Sequence, residues 1–123
     1  MNSIYAKAFV FALDGIGKLI IGLCNSLHPP AEIRTLRDEY KNHFGHLKHI
    51  RDSAIHIEDR GRGKTRNDEP LNASIIILGS CIDNRYSFTG ENGKQYEIEI
   101  SNRTLLEAKD IIQKIISSYT WIQ

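Results

Sequence analysis

Two runs of apolar residues at helical spacing, separated by His28-Pro29-Pro30, constrain this chain more than any other feature. Tyr5, Phe9, Leu13 (with Ala12), Ile16, Ile20 and Leu23 recur every three or four residues, which predicts a helix over residues 3–26. Proline disfavours helical geometry in the residue before it, so this helix ends at the His28-Pro29-Pro30 segment, and Pro30 suits the first turn of the next. Ile33, Leu36, Tyr40, Phe44 and Leu47 then form a second stripe, predicting a helix over residues 31–60. Two helices joined by so short a connection pack antiparallel. Gly15, Gly17 and Gly22 each lower helix propensity by about 1 kcal/mol relative to alanine, and close approach of a second helix is the expected reason.

Beyond the hairpin the periodicity changes. Residues 61–72 (GRGKTRNDEPLN) have little apolar content and read as an exposed loop. Its alternating Arg62, Lys64 and Arg66, with Arg60 before them, read as a solvated linker; contact with RNA would need the loop to fold back over the second helix. Ala73–Gly79 is a short apolar run expected as a strand, and Asn84–Thr89 and Lys94–Ile100 alternate as strands do. A two-residue Asn92-Gly93 loop would set Phe88 against Glu97. A three-residue Glu91-Asn92-Gly93 loop pairs Phe88 with Tyr96 and Tyr86 with Ile98, with Gly93 in the left-handed region. Ser101 or Asn102 can cap a last helix over residues 103–121, with Thr104 and Glu107 as an alternative capping box; Leu105, Ala108, Ile112, Ile115 and Tyr119 make its buried face, widened by Leu106, Ile111 and Ile116. The sequence thus predicts one α+β domain, residues 1–123: a long antiparallel helical hairpin (3–60), a loop (61–72), a three-stranded antiparallel meander (73–100) and a C-terminal helix.

Several function classes are excluded as expectations. A net charge of +1 gives no global attraction to nucleic acid or an acidic membrane. Asp14 and Lys18 interrupt the apolar N-terminal run, which falls short of the ~18 residues a membrane span needs, and no basic segment precedes it as in a signal peptide. Cys24 and Cys81 form no disulfide framework, so a reduced, cytoplasmic setting is expected, with no membrane.

The candidate chemistry lies in Lys48–Arg60. The apolar stripe of the second helix, continued in register, reaches Arg51, Ala54 and Glu58, so an arginine falls where a core residue belongs. An unpaired charge there is costly. A second stripe, Asn42, His46, His49, Ser53, His56 and Arg60, runs beside the first. Asp52 and His56 stand at i,i+4, where a carboxylate can orient an imidazole. Arg51-Asp52-Ser53-Ala54-Ile55-His56 resembles the Arg-x4–6-His motif of the HEPN superfamily of small helical ribonucleases, in which a polar residue commonly follows the arginine; Arg37-Asp38 through His43 is a second match. The run Ile50–Arg60 is also similar to a group of small uncharacterised bacterial proteins with an acidic-acidic-Arg tail. The resemblance implies metal-independent RNA cleavage of a toxin or defence type. His56 would act as general acid or base, Arg51 would hold the scissile phosphate and Asp52 would orient the pair. His49, Arg60 and Glu58 would be substrate-binding. It further implies a homodimer through the hairpin, with RNA as substrate and an antitoxin-type protein as partner. The competing expectation is a non-catalytic dimerising or partner-binding module in which Arg51 pairs with Glu58 structurally.

No cofactor and no metal are expected. His43, His46 and His49 recur every three residues without a third well-placed acidic or thiolate ligand. His49 and His56 lie about 10 Å apart along a helix, too far for one ion. Neither cysteine has a histidine near in sequence, and no glycine-rich phosphate loop is present.

Overall fold

A computed structural model describes residues 3–119 as an α+β fold. Helix α1 (Ser3–Cys24) is followed by α2 (Ile33–Phe44), α3 (Leu47–Ile55) and the short α4 (Ile57–Gly61). A meander of β1 (Leu78–Ile82), β2 (Arg85–Thr89) and β3 (Gln95–Glu99) leads into α5 (Asn102–Ser118). Residues 120–121, the expected end of the last helix, lie outside the described residues. No helix among the described residues is long and apolar enough to cross a membrane.

The hairpin is antiparallel. The Cys24 thiol points to the Ile33 carbonyl, the Tyr40 hydroxyl donates to the Leu13 carbonyl at 2.5 Å, and Arg51 reaches Asp14. All five residues of the second stripe, Ile33 to Leu47, are buried, as the spacing predicts. The single helix expected over residues 31–60 is instead three. It breaks at Gly45–His46, where glycine weakens the helix and no side chain caps α3, and again at His56, whose φ of −102° and ψ of 37° leave the helical region.

In α1 the core face is Ala6, Val10, Leu13, Ile20 and Cys24, rotated from the expected stripe, and Tyr5 is 73% exposed. The helix is apolar almost all round, so its periodicity could not choose a face. Of the three glycines, Gly17 alone lies at a close approach, where an added Cβ would meet the Tyr40 ring at 3.2 Å; Gly15 and Gly22 face open space.

α3 is the central element, with α1 on one side and strands β2 and β3 on the other. β2 pairs with β3 in the expected register, Tyr86 opposite Ile98 and Phe88 opposite Tyr96. The three-residue loop is closed by the Gly93 N–H donating to Gly90 O, with Gly93 at φ +81°. β1 begins later than expected, at Leu78 rather than Ala73. Ile75–Ile77 runs beside β2 but is tied by the side chains of Thr89 and Gln95, and Gly79 at φ +71° marks a shift of register. Asp83 and Asn84, both left-handed, form the tight turn into β2, which therefore starts at Arg85 rather than Asn84. Ser101 caps α5 by accepting from the Thr104 N–H. The buried face of α5 is Thr104, Ala108, Ile111 and Ile115; Leu105, expected inside, is exposed. Residues 61–72 are an ordered, folded-back loop rather than an extended linker. Thr65 is buried, its Oγ1 accepts from the Asn67 and Glu69 amides, and Lys64 bridges to Pro70.

Candidate functional site

The two motif residues have different partners. Arg51 projects from α3 towards α1, with Nε 3.4 Å from Asp14 Oδ2, Nη1 3.9 Å from Asp52 Oδ1, and its guanidinium over the Phe11 ring at 5.6 Å. Its side chain is 30% exposed and that of Asp14 only 12%. The structural partner of Arg51 is therefore Asp14 and not Glu58, which stays exposed on α4. Asp14 is a lone carboxylate in an apolar helix, and antiparallel packing brings it opposite the lone arginine of the facing seam. The same carboxylate, after burial itself, holds the Tyr40 hydroxyl well above the usual tyrosine range.

His56 sits at the α3–α4 junction. Its Nδ1 is 3.7 Å from Asp59 Oδ2, so the acidic neighbour is Asp59 where the spacing suggested Asp52; the His56 amide donates to the Asp52 carbonyl. No hydrogen bond or ion pair joins Arg51 to His56 among the described residues, and neither lines the hollow beside His49 or the hollow between α1 and α2.

Arg60, expected on a solvated polar face, is fully buried. Its Nε donates to Ser53 Oγ at 3.0 Å and its Nη1 to the Lys64 carbonyl at 3.2 Å, while Nη2 lies 3.9 Å from Glu91. Ser53, also fully buried, donates in turn to the Thr89 carbonyl at 2.7 Å. Thr89 Oγ1 accepts from the Ile77 amide and donates to Gln95, whose amide group donates to the Ile75 carbonyl. The polar stripe beside the apolar one is thus in part a buried network. It joins α3, α4, the loop and the hairpin turn at Glu91.

Sequence reasoning missed Asp14, Thr89, Gln95 and Glu91 because their roles depend on contacts distant in the chain. The seven-residue step from Ser53 to Arg60 placed those two on one face, and that spacing was the available signal.

The histidines also separate. The His49 ring stacks on Tyr96 with centroids 4.2 Å apart. His46 reaches the backbone of Glu97, and His43 Nδ1 is 3.8 Å from Glu107. Burial pushes both His46 and His49 below the ordinary imidazole range, and the Lys48 ammonium adds to this for His49. Among the described residues no group of three or more His, Cys, Asp or Glu side chains could hold a metal ion.

The loop folds back so that Thr65 and Glu69 face Lys48, His49 and Asp52 of α3, with Glu91 completing a hollow of about 490 Å³. Three carboxylates against one ammonium make this hollow a poor seat for phosphate. Of the loop cations, Arg62 is held by Asp59 at 2.8 Å, and Arg66 lies 3.7 Å from Glu91 at the edge of this hollow, where it offsets that carboxylate. Comparison with protein-family models, curated proteins and solved structures matches none.

Proposed function

We propose that this protein is a non-catalytic interaction module that associates with a second copy of itself through the outward face of α1. The observation that carries the reading is a seam on that face. Tyr5, Ala8, Ala12, Gly15, Leu19 and Gly22 follow alternating steps of three and four, are exposed or half-exposed, and include no charge. A helix apolar on all sides is normally covered on all sides, and three heptads of such positions are the pattern of a helix–helix seam. The seam is self-complementary in an antiparallel pair. Tyr5 and Leu19 lie seven residues either side of Ala12, so a two-fold axis at Ala12 sets the tyrosine of one copy against the leucine of the other. The small residues between them allow the backbones to approach, and beyond the adjoining backbone of α1 itself nothing lies within 4 Å of where a Cβ on Gly15 or Gly22 would stand.

The engagement of Arg51 by Asp14 and Asp52 supports a packing role for the motif. Sedimentation equilibrium tests the proposal. The wild-type chain is expected at twice its chain mass at micromolar concentration, and Ala12→Glu, at an exposed position, is expected to be a folded monomer. A wild-type monomer, or a dimer disrupted by Ile82→Glu on the β1 edge and not by Ala12→Glu, would overturn it. The ribonuclease reading is the rival outcome: RNA cleavage in EDTA that is lost in both Arg51→Ala and His56→Ala, with folding intact, would replace this proposal.

A further inference from the structure

Between α1 and α2 lies a hollow of about 640 Å³, within the range of small-molecule sites. It is on a different side of α1 from the seam. Its floor is Ile20, Tyr40 and Phe44, and half-exposed Ile21 forms a wall. At Gly17 the backbone of α1 closes on the Tyr40 ring, where a Cβ would stand 3.2 Å away.

The charges around this hollow fall into two sets. Lys18 is matched by Asp14 at 3.5 Å, and Arg37 by Asp38 with hydrogen bonds of 3.1 and 3.2 Å. Lys41, exposed, stands on the rim with no carboxylate within ion-pair distance among the described residues; exposed Lys48, on the same rim, also borders the hollow of Asp52, Glu69 and Glu91 without an ion pair to any of them. An apolar floor with two unmatched ammonium groups at its edge complements a molecule that has an apolar body and one anionic head.

We propose that this groove binds a small amphipathic carboxylate, its chain or ring laid on Ile20, Ile21, Tyr40 and Phe44 and its head between Lys41 and Lys48. Asp14, shared between Lys18 and Arg51, and Asp38, beside Arg37, place carboxylates along the inner groove that disfavour an anion there, so the head is directed to the rim and the apolar part inward. A neutral analogue of the same shape gains only the floor.

The test is an amide chemical-shift titration of the full chain with decanoate, with decanol as the neutral control. Decanoate is expected to bind saturably, moving Gly17, Ile21, Phe44 and Gly45. The double variant Lys41→Ala/Lys48→Ala, which alters only exposed unpaired side chains, is expected to bind decanoate about tenfold more weakly while leaving decanol unaffected. Ile21→Glu, which sets a carboxylate on the wall, is expected to abolish decanoate binding. Shifts that are scattered or do not saturate, equal decanoate affinity in wild type and double variant, or unchanged binding in Ile21→Glu would each overturn the proposal.

Discussion

Replacing Arg60 by methionine removes a guanidinium from the interior and keeps the length of its stem. Two hydrogen bonds from a charged donor are lost, to Ser53 Oγ at 3.0 Å and to the Lys64 carbonyl at 3.2 Å. Each is worth about 1.5–3 kcal/mol. Part of that is returned, because the burial cost of the guanidinium also disappears. Breaking a buried ion pair from one side typically costs about 3–5 kcal/mol, chiefly for the charge left behind. Here the charge left behind is Glu91, whose side chain is 30% exposed and has Arg66 at 3.7 Å, so the loss belongs at the lower end. Ser53 keeps its bond to the Thr89 carbonyl and is not stranded. The expected loss is about 3 kcal/mol, or ~12 °C in Tm at roughly 4 °C per kcal/mol for a chain of this length. Urea denaturation followed by far-ultraviolet circular dichroism measures it. Because Arg60 Nη1 anchors the loop at the Lys64 carbonyl, trypsin is also expected to cleave faster after Arg62, Lys64 and Arg66 in the variant. A loss under about 1 kcal/mol with unchanged cleavage would refute the view that this buried cation holds the loop to the sheet.

Gly93→Ala is expected to cost more than 2 kcal/mol in the same assay, roughly 1 from the left-handed backbone and the remainder from collision with the Asn72 carbonyl; an unchanged urea midpoint would contradict it. A double-mutant cycle of Asp14→Ala and Arg51→Ala is expected to give a coupling of about 1 kcal/mol, and no coupling would show that Arg51 is held by something else. His46 and His49 titrate below the ordinary 6.5 because burial disfavours the imidazolium, so as pH falls the unfolded chain takes up protons before the folded one. That contribution to stability is fully present above the unfolded value and is lost as pH falls through it towards the folded values. Urea midpoints are therefore expected to be lower at about pH 5.5 than at about pH 7.5, and His49→Gln is expected to reduce the difference; a midpoint that rises on acidification would refute this.

The second helical stripe was legible because each of its five apolar residues has polar neighbours, so only one face could be the core. The β2–β3 register was legible for a similar reason: only a three-residue loop avoids setting Phe88 against Glu97. The face of α1 was not legible, since adjacent residues such as Phe9 and Val10 are both apolar and only the packing of α2 and α3 decides between them. Ile75–Ile77 has the composition of a strand, yet it joins β2 through a single backbone bond, from the Thr89 amide to the Ile77 carbonyl, and through the Thr89 and Gln95 side chains twelve and twenty residues away. At the candidate site the sequence marked Arg51 as a charge needing a partner, and the partner, Asp14, lies on another helix. The burial of Arg60 and Ser53 was not legible from their polar stripe, because a helical wheel shows which residues share a face and not what covers it.

The most direct test of the proposed antiparallel seam is oxidative cross-linking of Ala12→Cys in a Cys81→Ser background, with Cys24 buried in the core. A two-fold axis at Ala12 brings the two introduced thiols together, so a covalent dimer should form rapidly and nearly completely, while Lys7→Cys, on the other side of α1, should not cross-link. Equal, slow cross-linking at both positions would contradict the account.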